Sequence, residues 1–392
     1  MISRAKRLDR IPPYLFGEIA AAKRKAVAEG KDLIDLGIGD PDRPTPPDII
    51  EELNRAAHDP ITHRYDESPA GDPIFLEAVA DWYRKRFEVD LEPNSEVLLL
   101  IGSKEGLAHT AWTFIDPGDI SLVPDPAYTV YKVGTWLAGG EIYPLPLKKE
   151  NGFLPVLDEV PPEVANKAKL LWLNYPNNPT GAVASQAFFQ RAVEFAHRYN
   201  LLIVSDLAYS ECAYDGYRPP SILQTEGAKE VAIELHSLSK MFNMTGWRIA
   251  MAVGNGEALS HLNKLKSNVD SKQFSAISRA AAYAIRHGDN SETIELYRHR
   301  RNILVAGLQS LGWPVEPPKA TFYVWTPTPS GESSIAFAKR LLERAGVLVI
   351  PGIGYGDYGE GYVRMSLTVP GDQNGERLNE AVKRLEATVP YR

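Results

Sequence analysis

The segment His236-Ser-Leu-Ser-Lys-Met-Phe-Asn-Met-Thr-Gly-Trp-Arg248 sets one lysine among hydroxyls and an arginine, directly after an apolar run over 231–235. That run reads as a buried strand. Ser237, Ser239 and Lys240 then stand at its carboxyl end, the edge where open α/β sheets bind ligands. A primary amine there condenses with an aldehyde, while serine hydroxyls and Arg248 hold a phosphate through bidentate, charge-assisted hydrogen bonds. One ligand carrying both groups suits the set. Two more segments repeat the arrangement. Asn174-Tyr-Pro-Asn-Asn178-Pro-Thr-Gly181 follows the apolar run 170–173, and Ser205-Asp206-Leu-Ala-Tyr209 follows 201–204. If these strands are parallel, all three sets share one edge. A ring with a protonatable nitrogen and a hydroxyl needs a carboxylate at the first and donors at the second. Asp206 supplies the carboxylate; Asn178 and Tyr209 supply the donors. Each piece also has a plain structural reading: Asn-Pro-Thr-Gly is a good turn, a tyrosine near a strand end usually packs, and the lysine segment is an ordinary charged turn. Their order along the chain is what makes the set specific.

The elements that position these residues read as a doubly covered sheet. Short apolar runs over 97–101, 120–123, 141–147, 170–173, 201–204, 231–235 and 249–253 alternate with helical patterns. This argues a mostly parallel, seven-stranded α/β sheet with helices on both faces. The large domain spans 46–288. A long helical stretch over 291–311 stops before Gly312 and Pro314. Strand-like runs at 322–325, 347–350 and 362–367 then interleave with helices over 334–345 and up to about 386 (from the pattern alone,), giving a small α+β domain over 289–392. Residues 1–45 form an arm too short to fold alone, expected to join the small domain.

At 392 residues the chain exceeds one small core, in keeping with two domains. Its net charge of −7 argues against nucleic acid or an anionic membrane as the main partner, since either needs a basic face. The first ten residues hold Arg4, Lys6, Arg7 and Arg10 but no apolar segment of the secretory kind. No apolar run reaches the length of a spanning helix. A single cysteine, Cys212, forms no internal disulfide and reads as a small buried hydrophobe; a reducing cytoplasm fits. The histidines show no metal-ligand spacing, so no metal is expected.

Two motifs are decoys. Gly354-Tyr-Gly356-Asp-Tyr-Gly359 has the spacing of a dinucleotide fingerprint, but a strand-like run follows it where the mechanism needs a helix N-terminus. It reads instead as a glycine-rich loop near Arg364. Ser237-Leu-Ser-Lys240 has the Ser-x-x-Lys spacing of serine acyl-transferases, yet the Ser-Asp-Asn and Lys-Thr-Gly that complete such a site are missing.

From about residue 11 to its C-terminus the chain resembles the fold-type I, class I/II pyridoxal-phosphate aminotransferases. The resemblance implies pyridoxal 5′-phosphate as cofactor, an amino acid and a 2-oxo acid as substrates, and a homodimer. It makes Lys240 the Schiff-base lysine and proton shuttle, and Asp206 the partner of the ring nitrogen. Asn178 and Tyr209 fall to the ring oxygen and Tyr128, in Pro124-Asp-Pro-Ala-Tyr128, to the stacking aromatic. Gly102-Ser103-Lys104 matches the phosphate turn at a helix N-terminus, completed by Ser237 and Arg248. Tyr65 resembles the tyrosine that reaches the neighbouring subunit's phosphate, and Arg364 the arginine that clamps the substrate α-carboxylate, aided by the backbone at Gly39. Within the class, Pro13-Tyr-Leu-Phe-Gly-Glu-Ile, Leu100-Ile-Gly-Ser-Lys-Glu-Gly and Lys266-Ser-Asn-Val-Asp-Ser are similar to the LL-diaminopimelate aminotransferases. Those enzymes of lysine and cell-wall synthesis work between diaminopimelate or tetrahydrodipicolinate and the glutamate/2-oxoglutarate pair. That likeness implies Tyr14, Glu67, Asn268, Asp270 and Ser271 near the substrate's distal end. The chain departs from it at Tyr65-Asp-Glu-Ser-Pro-Ala-Gly-Asp-Pro, where Pro69 and the Asp72-Pro73 pair change the backbone. A broader aspartate, alanine or glutamate aminotransferase is the alternative.

Overall fold

The structure is a computed structural model that describes residues 2–11, 23–24, 28–329 and 331–388. Its centre is a seven-stranded sheet of β2 (Val97–Leu100), β3 (Ile120–Asp125), β4 (Glu141–Pro146), β5 (Ala168–Leu173), β6 (Leu202–Asp206), β7 (Ala232–Ser237) and β8 (Ala250–Gly254), following β1 (Ile34–Asp35) in the chain. The spatial order is β2-β8-β7-β6-β5-β3-β4, and only β8 runs against the rest. The sheet is therefore mostly parallel, as the alternation of strands and helices predicts.

Continuous apolar strands follow from burial on both faces. Successive side chains alternate across the sheet. Leu99, Leu171, Leu173 and Ile203 enter one core, while Leu98, Leu100, Trp172 and Val204 enter the other. Helices Pro73–Phe87, Gln186–Tyr199 and Ser275–His287 contribute to the first core, and Ser103–Phe114, Val130–Ala138 and Gly256–Val269 to the second. Asp72, Ser185 and Asn255 cap three of these helices with side-chain oxygens, satisfying N–H groups that the first turn leaves without partners.

The C-terminal part has its own core. β9 (Tyr323–Pro327), β11 (Ile350–Pro351) and β12 (Tyr362–Ser366) form an antiparallel sheet in the order β11-β12-β9, and β10 (Val347–Leu348) pairs in parallel with β1. Helices Ser291–Ser310 and Glu376–Thr388 flank it. The helix expected over 334–345 is α-helical over Ser334–Arg340 and finishes as a π-helical turn, Leu341–Ala345.

From β1 the chain continues as a strap over 36–42, crossing between the two parts. Leu36 accepts from Ser366 N–H at 2.6 Å. Asp42 pairs both carboxylate oxygens with Arg300, each at 2.9 Å, and both side chains are almost fully enclosed. Arg300 also donates to the carbonyls of Leu367 and Val369. Removing one partner of such a buried pair strands the other charge, a loss of about 3–5 kcal/mol.

Candidate active site

The lysine, aspartate and arginine singled out above converge at the carboxyl edge of the sheet. β7 ends at Ser237 and the short helix Leu238–Met241 carries Lys240. β6 ends at Asp206, one strand away. A cavity of about 430 Å³ is lined by Gly39, Ser103, Tyr128, Asn178, Asp206, Tyr209, Lys240 and Arg364. A recess holding Lys104, Ser237 and Arg248 adjoins it, with Ser103, Tyr128 and Lys240 common to both.

Lys240 Nζ donates to the Gly39 carbonyl at 3.1 Å. Its side chain lines both the cavity and the recess. Enclosure lowers its amine to about 8, aided by the positive charges of Arg364 and Arg248 and opposed by Asp40, so a minor neutral fraction exists near neutrality and grows as pH rises through that value.

Asp206 is buried, and burial pushes its carboxyl up to about 6 against the hydroxyl of Tyr131. Tyr131 donates to Oδ2 at 2.7 Å and stacks on Trp172; Asn174 holds the Asp206 backbone carbonyl at 2.7 Å. Oδ1 is buried with no hydrogen-bond partner.

The phosphate-type corner is built from backbone. Gly102, at φ +87°, caps the helix Ser103–Phe114. A Cβ there would run into the Arg248 guanidinium, so glycine both permits the turn and lets the arginine lie against it. The N–H groups opening this helix, with Ser237, Ser239 and Arg248 around the recess, suit an anion.

Opposite lies a second arginine. Arg364 Nη1 donates to Asn178 Oδ1 at 3.0 Å and Nη2 to the Gly37 carbonyl at 2.9 Å. Arginine only donates, so the Asn178 oxygen faces it and the amide nitrogen is free to face the cavity. Tyr323 lies under the guanidinium, 4.0 Å from its ring centre, and its hydroxyl is 3.2 Å from that of Tyr209. Burial raises the Tyr209 phenol well above its ordinary value, keeping it a donor. Arg364 Nε is buried without a partner.

The structure does not bring every expected residue to this cavity. Tyr65 is 93% exposed and lines a separate recess with Ser271 and Lys272. Glu67, Asn268 and Asp270 are likewise not among the cavity's lining residues, and Tyr14 lies outside the described residues. Asp270 instead joins Lys266 at 2.9 Å. Glu105, His109 and Asp270 do gather closely, although their spacing in the chain gives no metal signature. The ammonium of Lys266, 3.3 Å from Glu105 and 2.9 Å from Asp270, already serves these carboxylates. His236 is enclosed, sharing the Tyr83 hydroxyl at 2.5 Å beside Glu234. Cys212 is buried, which pushes its thiol up to about 12.

Sequence reasoning passed over Tyr131, Asn174, Tyr323 and Tyr355. It also passed over a charged pair in the cavity lining, Lys23 Nζ to Asp35 Oδ2 at 2.7 Å. Asn174 and Tyr355 stand in quoted motifs; the others carry no local signal.

The family model for "Aminotransferase class I and II" matches residues 31–385, and the chain belongs to that family, whose members depend on pyridoxal phosphate. It is 52% identical over 387 residues to an LL-diaminopimelate aminotransferase of Moorella thermoacetica, covering 98% of each chain. A Nostoc LL-diaminopimelate aminotransferase is also 52% identical, over 97% of each. Among solved structures, apo-BacF from Bacillus subtilis superposes with a TM-score of 0.94 at 38% identity, over 100% of both chains. The chain is an aminotransferase. Among the described residues no helix is long and apolar enough to cross a membrane.

Proposed function

We propose that this aminotransferase binds pyridoxal 5′-phosphate at Lys240 and works on LL-diaminopimelate or its cyclised oxo form, with glutamate and 2-oxoglutarate as the other pair. The observation that carries the substrate is the 52% identity to diaminopimelate enzymes sustained over 98% of the chain.

The residues fit the cofactor. Asp206 Oδ1, buried and unpartnered, suits a ring N–H donor, whose positive charge would hold this carboxylate ionised. Ser103, Lys104, Ser237 and Arg248 suit a phosphate, Tyr128 a ring face, and Asn178 with Tyr209 a ring oxygen. When bound, the cofactor supplies an aldehyde that exchanges amino groups and a ring that withdraws electrons from the substrate α-carbon.

The rest is done by the chain. Arg364 takes the substrate α-carboxylate through its guanidinium, with Asn178 and the Gly37–Gly39 backbone fixing the arm's direction. Tyr323 beneath it restricts the guanidinium to one plane. Lys240 Nζ, neutral above about 8, is the base that takes the α-proton and the acid that returns it. Tyr131 keeps Asp206 pointed at the ring. Both half-reactions use one cavity, so the kinetics are ping-pong. Lys23 and Asp35 in the cavity lining offer a cation and an anion together, the pairing that a distal amino-acid end requires.

Tyr65 stands away from its own chain's cavity. We assign it, with Glu67, Asn268 and Ser271, to the cavity of a second copy, which makes the active unit a homodimer. Tyr14 belongs with the same substrate contacts in this reading.

The test is an absorbance spectrum of the cofactor-loaded protein before and after LL-diaminopimelate, without any oxo acid. Conversion of the visible band to the amine form of the cofactor is the expected result. A band that ignores diaminopimelate but responds to aspartate or alanine would move the enzyme to the broader branch. No band after reconstitution would overturn the assignment of Lys240.

A further inference from the structure

The motif Gly354-Tyr-Gly356-Asp-Tyr-Gly359 has a role that its spacing does not announce. It forms the tip of the 352–361 connection between β11 and β12, as two short 3₁₀ turns, Gly352–Tyr355 and Asp357–Gly359. The base of this loop is tied to the C-terminal part. Glu360 accepts from Ser334 through its backbone N–H and its hydroxyl, both at 2.7 Å. Its tip rests on the large sheet instead. Asp125, the last residue of β3, accepts the N–H of Asp357 at 3.1 Å and of Tyr358 at 3.0 Å, one on each carboxylate oxygen. Ala127 N–H donates back to the Tyr355 carbonyl at 3.1 Å.

The fit leaves no slack. Gly356 has φ +147°, and a Cβ on it would overlap the Asp125 carboxylate; only glycine gives both the backbone and the room. The docked tip puts Tyr355, 2% exposed, on the cavity wall. Its ring centre lies 5.1 Å from the Arg364 guanidinium carbon. Arg364 sits on β12, opposite Ile350 of β11, so the loop and the clamp move as one hairpin.

We propose that Asp125 is a positioning residue for substrate capture, acting with Gly356. Its carboxylate receives the tip of the 352–361 loop and so seats Tyr355 and Arg364 against the cavity. The inference rests on the reading of Arg364 as the α-carboxylate clamp. Asp125 touches neither the reacting atoms nor the anion recess. Its effect is on how well the clamp is held, which appears in substrate binding before it appears in turnover.

The experiment uses the full chain loaded with pyridoxal phosphate, as wild type, Asp125→Ala, Asp125→Asn and Gly356→Ala. KM for LL-diaminopimelate and kcat are measured together with hydrogen exchange of the peptide covering 352–361. For Asp125→Ala and Gly356→Ala we expect faster exchange in that peptide and a KM raised about ten-fold, with kcat within about three-fold of wild type. The bound-cofactor spectrum is expected to be unchanged. Asp125→Asn is expected to recover part of the KM, because its amide oxygen still accepts one N–H. Faster exchange with an unchanged KM would make the contact merely structural and overturn the proposal, as would unchanged exchange in both disruptive variants. If Asp125→Ala loses cofactor through the neighbouring Tyr128, Gly356→Ala decides. A wild type that ignores diaminopimelate refutes the substrate reading alone, and the same KM comparison is then made with the amino acid it accepts.

Discussion

The two ends of the cavity are built in different ways. At the cofactor end, Asp206, Ser237 and Lys240 come from the carboxyl ends of two neighbouring parallel strands, and Ser103 from the helix that follows β2. One rigid sheet holds them all. At the substrate end, Arg364 meets the Gly37 carbonyl across 327 residues of chain, and Lys240 meets Gly39 across 201. The strap, β9, β12 and the 352–361 loop reach that end from separate elements. In the proposed reading, chemistry is fixed within a sheet, whereas recognition is assembled at a seam. Changes at the first end should damage rate, and changes at the second should damage binding.

The largest expected effect breaks the cofactor end. Lys240→Ala removes the amine to which we assign the cofactor and the proton. Transamination should fall by about a thousand-fold or more, a loss in the range of general acid–base groups, while far-ultraviolet circular dichroism stays native. A variant that still turns over at the wild-type rate would refute the role. At the other end, Arg364→Ala should raise KM by about a hundred-fold, with kcat falling less, as the loss of a charge-assisted bidentate contact predicts. Steady-state kinetics at varied donor concentration reads the split, and an unchanged KM would erase the contrast between the ends.

A smaller effect tests the seam itself. Arg300→Met leaves Asp42 buried without its partner, so unfolding in urea should show a loss of about 3–5 kcal/mol; a KM increase should accompany it because the strap carries Gly37 and Gly39. The smallest effect sharpens the cofactor end. Tyr131→Phe removes a hydrogen bond worth about 1.5–3 kcal/mol to the charged form of Asp206. Losing it raises the Asp206 carboxyl of the cofactor-free protein further above about 6, so the pH profile of pyridoxal phosphate binding should move to higher pH on its acid side. A profile of unchanged position would mean that Tyr131 only packs against Trp172.

The same contrast explains what was legible beforehand. Lys240, Asp206 and Asn178 were visible because each follows an apolar run within a few residues, and local sequence records where a buried strand ends. The mostly parallel seven-stranded sheet was legible for the same reason. Tyr131 and Tyr323 were not: Tyr131 sits in the first turn of a helix and Tyr323 in a strand, both reading as core aromatics, and only the fold turns their hydroxyls toward Asp206 and Tyr209. The glycine-rich motif was legible as a loop near Arg364, where Tyr355 indeed lies, but not in what its tip rests on. Its spacing was plain, but whether its backbone N–H groups face a nucleotide or a carboxylate depends on Asp125, more than 200 residues upstream.

By itself, then, the sequence determined which strands are buried on both faces, where they end, and which polar residues wait at those ends. Hydrophobic periodicity and turn chemistry are local, so short stretches carry them. Tertiary structure alone decided which tyrosine orients Asp206, how the strap closes over Lys240, and what the 352–361 loop rests on. Those contacts join residues far apart in the chain, and the distances that make them hydrogen bonds exist only once both cores have packed.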